Sequence, residues 1–466
     1  MSLSLRNSFV RSLSPRKIQF RPLSNKASGT YEEWNEGPEV EWETEPDWLE
    51  ESDSDAIFPD ARNRRRRVRR VFSGIQPTGV PHLGNYLGAL RQWKRLHDQS
   101  QDPKLAGNHT VRQYYSIVDL HALTADTPPA VRLRQRKESY AALLAIGLSN
   151  TDKTSVFFQS DVSCHSELMW ILSTIASTGY LSRMTQWKSK LNLPDNVNLD
   201  SDEATAKLKL GLFSYPVLQA ADILLYKADL VPVGHDQLQH IEFARTLARS
   251  FNSHIKESWG STIFKIPAPV LSPAQRLMSL KKPTQKMSKS DPDPKSQILI
   301  TDSAEEIYAK IKGAVTDSTP GISYDPVERP GVSNLIDILK YTTNSSEPSE
   351  FIARDMSSLS MRAMKEKVAW EVIQALQGIR EKFLDLMQPN NDQLFREVTK
   401  GAIKARRRAT ATLTDVQCSL GLLALHLSDP RRGFEVGGMD DDSDTALDVG
   451  CDELVEPQRR RTKSPG

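Results

Sequence analysis

The stretch VFSGIQPTGVPHLGNYLGALRQWKRLHD, residues 71–98, decides the fold. VFSGI (71–75) reads as a short buried strand. QPTGVPHLGN (76–85) is a loop rich in glycine and proline, and YLGALRQWKRLHD (86–98) spaces its apolar residues as an amphipathic helix does. In a doubly wound fold, a glycine-bearing loop between first strand and first helix lies at the carboxyl edge of the sheet. There it can press backbone N–H groups against a nucleotide. Gly74, Gln76, Gly79, His82, Gly84 and Asn85 fall in or beside this loop. Gly84 would let an adenine or ribose lie on the backbone, and His82 could donate to a phosphate oxygen. Alone the signal is weak, since most strand–glycine–helix junctions bind nothing.

Working outward, YYSIVD (114–119), SVFFQS (155–160) and LVPVG (230–234) read as further strands. Helical patterns alternate with them over about 129–147, 165–177 and 204–227, and DQLQHIEFARTLARSFN (236–252) follows the last strand. Such alternation predicts an α/β, doubly wound, mostly parallel (Rossmann-like) sheet over 71–302. Beyond it, 303–313 and then 361–426 read as helices, which predicts an all-helical second domain over 303–426. Its last segment carries Lys400, Lys404, Arg406, Arg407 and Arg408, a basic face that is equally explained as a solvated helix surface.

The flanks differ in character. Residues 1–31 hold Arg6, Arg11, Arg16, Lys17, Arg21 and Lys26, many serines and no acid. That composition predicts a mitochondrial transit peptide, with a basic tail as the plainer alternative. Residues 32–60 are acidic with three tryptophans, and RNRRRRVRR (62–70) follows, so 32–70 reads as a solvated linker. The polar segment 427–466 reads as a disordered tail. A net charge of +2 over 466 residues requires any nucleic-acid contact to come from local basic surfaces. Cys164, Cys418 and Cys451 form no CxxC pair, which argues against structural zinc and a disulfide framework and fits a reducing compartment. No apolar run approaches the roughly 18–20 residues of a membrane span, so a soluble protein is expected.

A second loop gives the first one meaning. QKMSKSDPDP (285–294) brackets Met287 and Ser288 with Lys286 and Lys289, and proline punctuation makes it an exposed, mobile segment. Together the two loops suggest a triphosphate held on the first while a lysine arm from the second stabilises the leaving pyrophosphate. The pair resembles the signatures of class I aminoacyl-tRNA synthetases, HLGN being a variant of the usual His-Ile-Gly-His. FSGIQPTG and HLGNYLGALRQW (72–93), YPVLQAADILLY (215–226), VPVGHDQLQHIE (231–242) and KMSKSDPDP (286–294) are similar to the tryptophanyl members of bacterial and mitochondrial type. The similarity runs from about Val71 to the 420s.

That resemblance implies roles. Asp222 would accept the indole N–H. Phe72, His121, Tyr215, Gln219, Val231 and Val233 would line the amino-acid site, and Gln237 would face the α-amino group. ATP would meet Gln76, Gly84, Asn85, Gly234, His235 and Asp236, with Leu277 and Met278 offering backbone to adenine. His82, Asn85, Lys190, Lys286 and Lys289 would act on the phosphates, supported by Met287, Ser288 and Ser290 of the loop. Tyr215, Gln219 and Asp222 sit at i, i+4 and i+7 of a helix, a spacing that tyrosyl enzymes share. The decision for tryptophan rests on Phe72 and on KMSKS, where tyrosyl enzymes usually carry a tyrosine and a Lys-Phe-Gly-Lys type loop. His235 departs from the acidic residue usual there, and Asn85 replaces the second signature histidine.

The implied activity is tryptophan–tRNA ligation in the mitochondrial matrix, or alternatively the cytoplasm. Mg²⁺ would ride on ATP without a protein-bound structural metal, in a homodimer whose helical domain reads the tRNA(Trp) anticodon through Lys400 to Arg408. The rivals are a tyrosyl enzyme, a nucleotidyltransferase without tRNA, and a non-catalytic RNA-binding protein. The last would be expected to have lost Asp222, Gly84, Lys286 or Lys289.

Overall fold

Five parallel strands form the sheet: β1 Val68–Ile75, β2 Thr110–Ile117, β3 Thr154–Phe158, β4 Leu230–Val233 and β5 Ala268–Leu271, in the order β3-β2-β1-β4-β5. The computed structural model describes residues 68–102, 110–194, 199, 201–271, 277–289 and 291–422. The transit peptide expected over 1–31, the linker up to residue 67, the tail expected over 427–466 and Ser290 lie outside them.

The chain steps from β1 through β2 to β3, then crosses back to lay β4 on the other flank of β1. The reversal makes a topological switch point between β1 and β4, where open α/β sheets leave a crevice at their carboxyl ends. Sequence widens it here. The β1–β4 ladder has one register pair, Val71 with Leu230. Farther along, Pro232 has no N–H to give, and the Ser73 hydroxyl donates to the Pro232 carbonyl at 2.8 Å in place of a ladder bond. The carboxyl halves of the two strands can therefore part.

Two boundaries differ from the sequence pattern. β1 starts at Val68, so the last three residues of the arginine-rich run belong to it. Arg70 is buried, and its N–H donates to the Asp229 carboxylate at 2.8 Å. Charged side chains at a strand's start conceal it from a hydrophobicity reading. β5 was not anticipated: it has four residues and contains Pro269, which an edge strand tolerates.

Helices cover both faces. Phe72, Phe157, Trp187, Tyr226 and Phe251 fill one side. On the other, Leu83, Leu90, Trp93 and Tyr115 share a single buried cluster with Ile307, Ile311, Leu335 and Val368 of the later helices. The helices after residue 302 thus pack on the sheet's own core. Between the two helical stretches expected there, Pro330–Thr343 and Ser349–Asp355 are also helical. The first is buried from Gly331 through Ile336. The single helix expected over about 204–227 is divided into Asp202–Lys207 and Leu210–Leu225, and within the later helical stretch Gly378, whose φ is +78°, separates Met361–Ala375 from Ile379–Leu386.

The last helix, Gln393–Ser419, leaves its helical neighbours and lies along the edge strand β3. Gly401 permits the approach, since a Cβ there would stand 1.8 Å from the Val156 carbonyl oxygen. Asn150 Nδ2 donates to the Glu397 carbonyl at 2.8 Å, and the Tyr140 hydroxyl sits 2.8 and 2.9 Å from the Val156 and Glu397 carbonyls. The helix so covers an otherwise open sheet edge. Its basic run meets this layer too: Lys404 donates to the Thr151 carbonyl and pairs with Asp152 at 3.6 Å, and Arg406 Nε donates to the Asp161 carbonyl at 2.8 Å. Lys400 and Arg407 are exposed, and Arg408 is half-buried. Among the described residues no helix is long and apolar enough to cross a membrane.

Candidate active site

A cavity of about 890 Å³ opens at the switch point. The carboxyl end of β1 (Phe72 to Gln76) and that of β4 (Val231 to Val233, then Gly234 to Gln237) form two of its walls. His82, Gly84, Asn85, His121, Lys190, Tyr215, Gln219, Asp222, Leu277, Lys286 and Met287 also line it. Residues far apart in the chain are therefore gathered as the sequence motifs imply. Met278, Ser288 and Lys289 do not line it. The Met278 N–H donates to Asn334 Oδ1 at 2.9 Å and its carbonyl accepts from Asn334 Nδ2 at 3.0 Å, so this backbone is engaged by the helix Pro330–Thr343 instead of facing adenine.

At one end lies Asp222, 1% exposed on the helix Leu210–Leu225. Its Oδ1 lies 2.7 Å from Gln159 Nε2 and 2.6 Å from His165 Nδ1, and its Oδ2 is 2.9 Å from His121 Nε2. Burial by itself would push this carboxyl up, but the hydrogen bonds from His121 and His165 outweigh it and hold the pKa below the ordinary carboxylate value. Phe72 stacks on Tyr226 with ring centroids 5.3 Å apart, giving this end a flat aromatic wall.

A second network runs along the side. The Tyr215 hydroxyl donates to Gln186 Oε1 at 2.9 Å, and His240 Nε2 lies 2.9 Å from the same hydroxyl. Gln186 Nε2 donates to the Asp236 carbonyl, Gln237 Nε2 to Asp236 Oδ2 at 2.8 Å, and Gln219 Nε2 to Gln237 Oε1 at 3.1 Å. Gln237 is thereby oriented with its carbonyl oxygen, the end that can meet an ammonium, held by Gln219. Burial drives the His240 pKa down to about 4, so its ring is neutral at pH 7.

The other end is cationic. Lys190 Nζ stands 4.5 Å from the Tyr215 ring centroid, and burial lowers its pKa. His82 caps the short helix Leu83–Asn85: its Nδ1 accepts the Asn85 N–H at 3.2 Å while Asn85 Oδ1 accepts the His82 N–H at 3.2 Å. Burial, reinforced by Lys289 and Lys286, brings the His82 pKa to about 4. The proton of this neutral ring must then sit on Nε2, leaving a donor. Gly84 packs so closely beneath the imidazole that a Cβ would stand 2.9 Å from it. Lys289 turns away from the cavity to Thr78, donating to its carbonyl at 3.0 Å and lying 3.1 Å from its hydroxyl. Nor is the lysine loop exposed throughout, because Met287 is buried in the core and its N–H donates to the Leu277 carbonyl at 3.0 Å.

A family model for tRNA synthetases class I (W and Y) matches residues 64–377. The chain belongs to this family. It lies on the tryptophanyl side: it is 45% identical to the mitochondrial tryptophan–tRNA ligase of Schizosaccharomyces pombe over 358 residues, covering 76% of this chain and 95% of that protein. The mitochondrial counterpart of Saccharomyces cerevisiae is 44% identical over 357 residues, 75% of this chain and 90% of that one. Among solved structures, the tryptophanyl-tRNA synthetase of Mycoplasma pneumoniae superposes with a TM-score of 0.62 at 30% identity, over 77% of this chain and 99% of that one. That of Campylobacter jejuni, complexed with ADP and tryptophan, gives 0.58 at 29% identity, over 76% of this chain and all of that one.

Sequence reasoning did not find Gln159, His165, Gln186, Tyr226 or His240 in this synthetase. The first two reach Asp222 from 63 and 57 residues away, and only Tyr226 and His240 lie inside motifs quoted for the family. A polar residue next to buried apolar ones, as in SVFFQS, was the only available signal for Gln159. Among the described residues no group of three or more His, Cys, Asp or Glu is placed to hold a metal ion.

Proposed function

We propose that this tryptophan–tRNA ligase adenylates L-tryptophan at the β1/β4 crevice and passes it to tRNA(Trp) for mitochondrial translation. The observation that carries the reading is the buried, ionised Asp222 in a cavity that Lys190, Lys286 and His82 also line. An indole seated against Phe72, Val231 and Val233 would give its N–H to Asp222, and Gln237 would accept from the α-ammonium. Positioning of this kind leaves the carboxylate facing the cationic end, for in-line attack on the α-phosphorus of ATP. No side chain needs to form a covalent bond, so catalysis rests on alignment and charge stabilisation.

Gln76, Gly84 and Asn85 with Gly234 to Asp236 form the ATP bed in this reading, and Asp236 meets the ribose. His82 donates from Nε2 to a phosphate oxygen, Lys190 and Lys286 meet the phosphates, and Lys289 leaves Thr78 to join them as charge builds on the pyrophosphate. Mg²⁺ travels on the triphosphate and neutralises part of its charge. The terminal ribose of the tRNA then attacks the adenylate carbonyl. The helices of 303–426 serve the anticodon arm, with the exposed Lys400 and Arg407 as phosphate contacts, and the enzyme acts as a homodimer. The mitochondrial names of the two fungal relatives and the composition of residues 1–31 support the compartment.

ATP–pyrophosphate exchange on protein lacking the first 60 or so residues, with tryptophan and tyrosine in parallel, tests the proposal. Exchange with tryptophan alone, abolished by Asp222→Ala, is the expected result. Exchange with tyrosine would overturn the specificity. Exchange with neither would overturn the adenylation reading and favour the non-catalytic RNA-binding alternative.

A further inference from the structure

The Asp222 carboxylate is more heavily engaged than recognition of one N–H requires. Gln159 and His165 both reach Oδ1, whereas His121 alone reaches Oδ2. Each carboxylate oxygen has two lone-pair directions, so Oδ1 is filled and Oδ2 keeps one. Neither donor to Oδ1 is free to turn. Gln159 Oε1 accepts the Leu120 N–H at 3.0 Å, which leaves its NH₂ as the end that meets Asp222. His165 is wholly buried, and its Nε2 lies 3.0 Å from the Tyr226 hydroxyl. Burial raises the Tyr226 pKa well above its ordinary value, so the phenol keeps its proton and can donate to Nε2. His165 then carries its own proton on Nδ1, aimed at Oδ1. The Tyr226 ring is fixed in turn by Phe72 at 5.3 Å, Tyr114 at 4.6 Å and Phe157 at 5.5 Å.

We infer that the relay from Tyr226 through His165 to Asp222 Oδ1 is a specificity device: it saturates one carboxylate oxygen so that the indole N–H is read by the single remaining direction of Oδ2. The inference rests on the ligase reading above and deepens it. His165 and Tyr226 are positioning residues, since neither lines the cavity and both act through Asp222. Without His165, the carboxylate could rotate and offer either oxygen. It would also lose a charge-assisted hydrogen bond to a carboxylate that is 1% exposed. An amino acid with an indole-sized ring but no N–H should then be rejected less well.

The discriminating measurement compares tryptophan with β-(3-benzothienyl)alanine, which replaces the N–H by sulfur, in ATP–pyrophosphate exchange by the full chain. The unaltered protein should prefer tryptophan. In His165→Ala the ratio of the two kcat/KM values should fall about tenfold, through KM for tryptophan, with kcat changed little. His165→Asn, whose amide N–H can stand where Nδ1–H stands, should restore most of the preference. Tyr226→Phe keeps the ring packing and removes only the hydroxyl; it should lower the ratio by a few-fold and serves if His165→Ala does not fold. Equal loss for both amino acids, or a ratio unchanged in Tyr226→Phe, would overturn the inference while leaving the ligase reading intact. Absence of exchange by the unaltered chain would overturn both.

Discussion

The two ends of the cavity hold opposite charges in opposite ways. At the Asp222 end a single carboxylate is buried among three donor side chains within 2.9 Å, which leave one direction of Oδ2 open. Elsewhere in the cavity lining stand cationic groups, Lys190 and Lys286, beside His82. Burial lowers Lys190, and burial with the two loop lysines holds His82 neutral. The first end has its carboxylate already held in place by neighbouring side chains. In the proposed reaction the second is completed by the ligand's own charge, which suits a group that must gain contacts only as the transition state forms.

The contrast can be broken most forcefully at its anionic end. Asp222→Ala leaves His121, His165 and Gln159 buried without their shared partner, which should cost about 3–5 kcal/mol of stability. A lowered denaturant midpoint and loss of tryptophan-dependent exchange would register it. If exchange survived, the indole end would not be the recognition site.

Acid should act on the opposite class of group. His82 and His240 are held neutral in the fold with pKa near 4, below the ordinary 6.5. Between those values the unfolded chain binds protons that the folded one does not, so this stability is present above pH 6.5 and is lost as pH falls towards 4. Each ring contributes on the order of 3 kcal/mol across the window. Denaturant midpoints measured from pH 7 down to 4.5 should fall steeply, and His240→Gln should flatten the slope.

Lys289→Ala sharpens the cationic end. Loss of a charge that acts mainly in the transition state should cut kcat of exchange by about 100-fold with the KM for tryptophan nearly unchanged. Burial lowers the Lys289 pKa to about 8 in the ligand-free protein. Its charge is present below that value and lost above it, so kcat/KM for ATP should decline as pH rises through 8. In Lys289→Ala that limb should disappear.

Away from both ends, Gly401→Ala tests the scaffold. The added methyl meets the Val156 carbonyl at 1.8 Å, and the backbone of β3 cannot swing aside as a side chain can. Overpacking of this kind typically costs about 1–3 kcal/mol. The melting temperature should drop while the preference for tryptophan over its benzothienyl analogue stays as it was. A changed preference would tie the last helix to the indole end.

The parts legible in the sequence were those written in short words. VFSGI followed by a glycine loop and an amphipathic helix marks β1 and its crossover, because strand and helix periodicities lie between near neighbours. Gln76 to Asn85, Lys286 with Met287, Tyr215 to Asp222 and Val231 to Gln237 are each local words as well, and each contributes residues to the cavity wall. Tertiary structure alone decided what those words touch. His165 and Gln159 converge on Asp222 through chain reversals that leave no local pattern, and Pro232 opens the crevice only because β4 lies beside β1. The last helix looks amphipathic in sequence and would suit any apolar neighbour. Its place on β3 follows from Gly401, where a missing side chain lets two backbones meet.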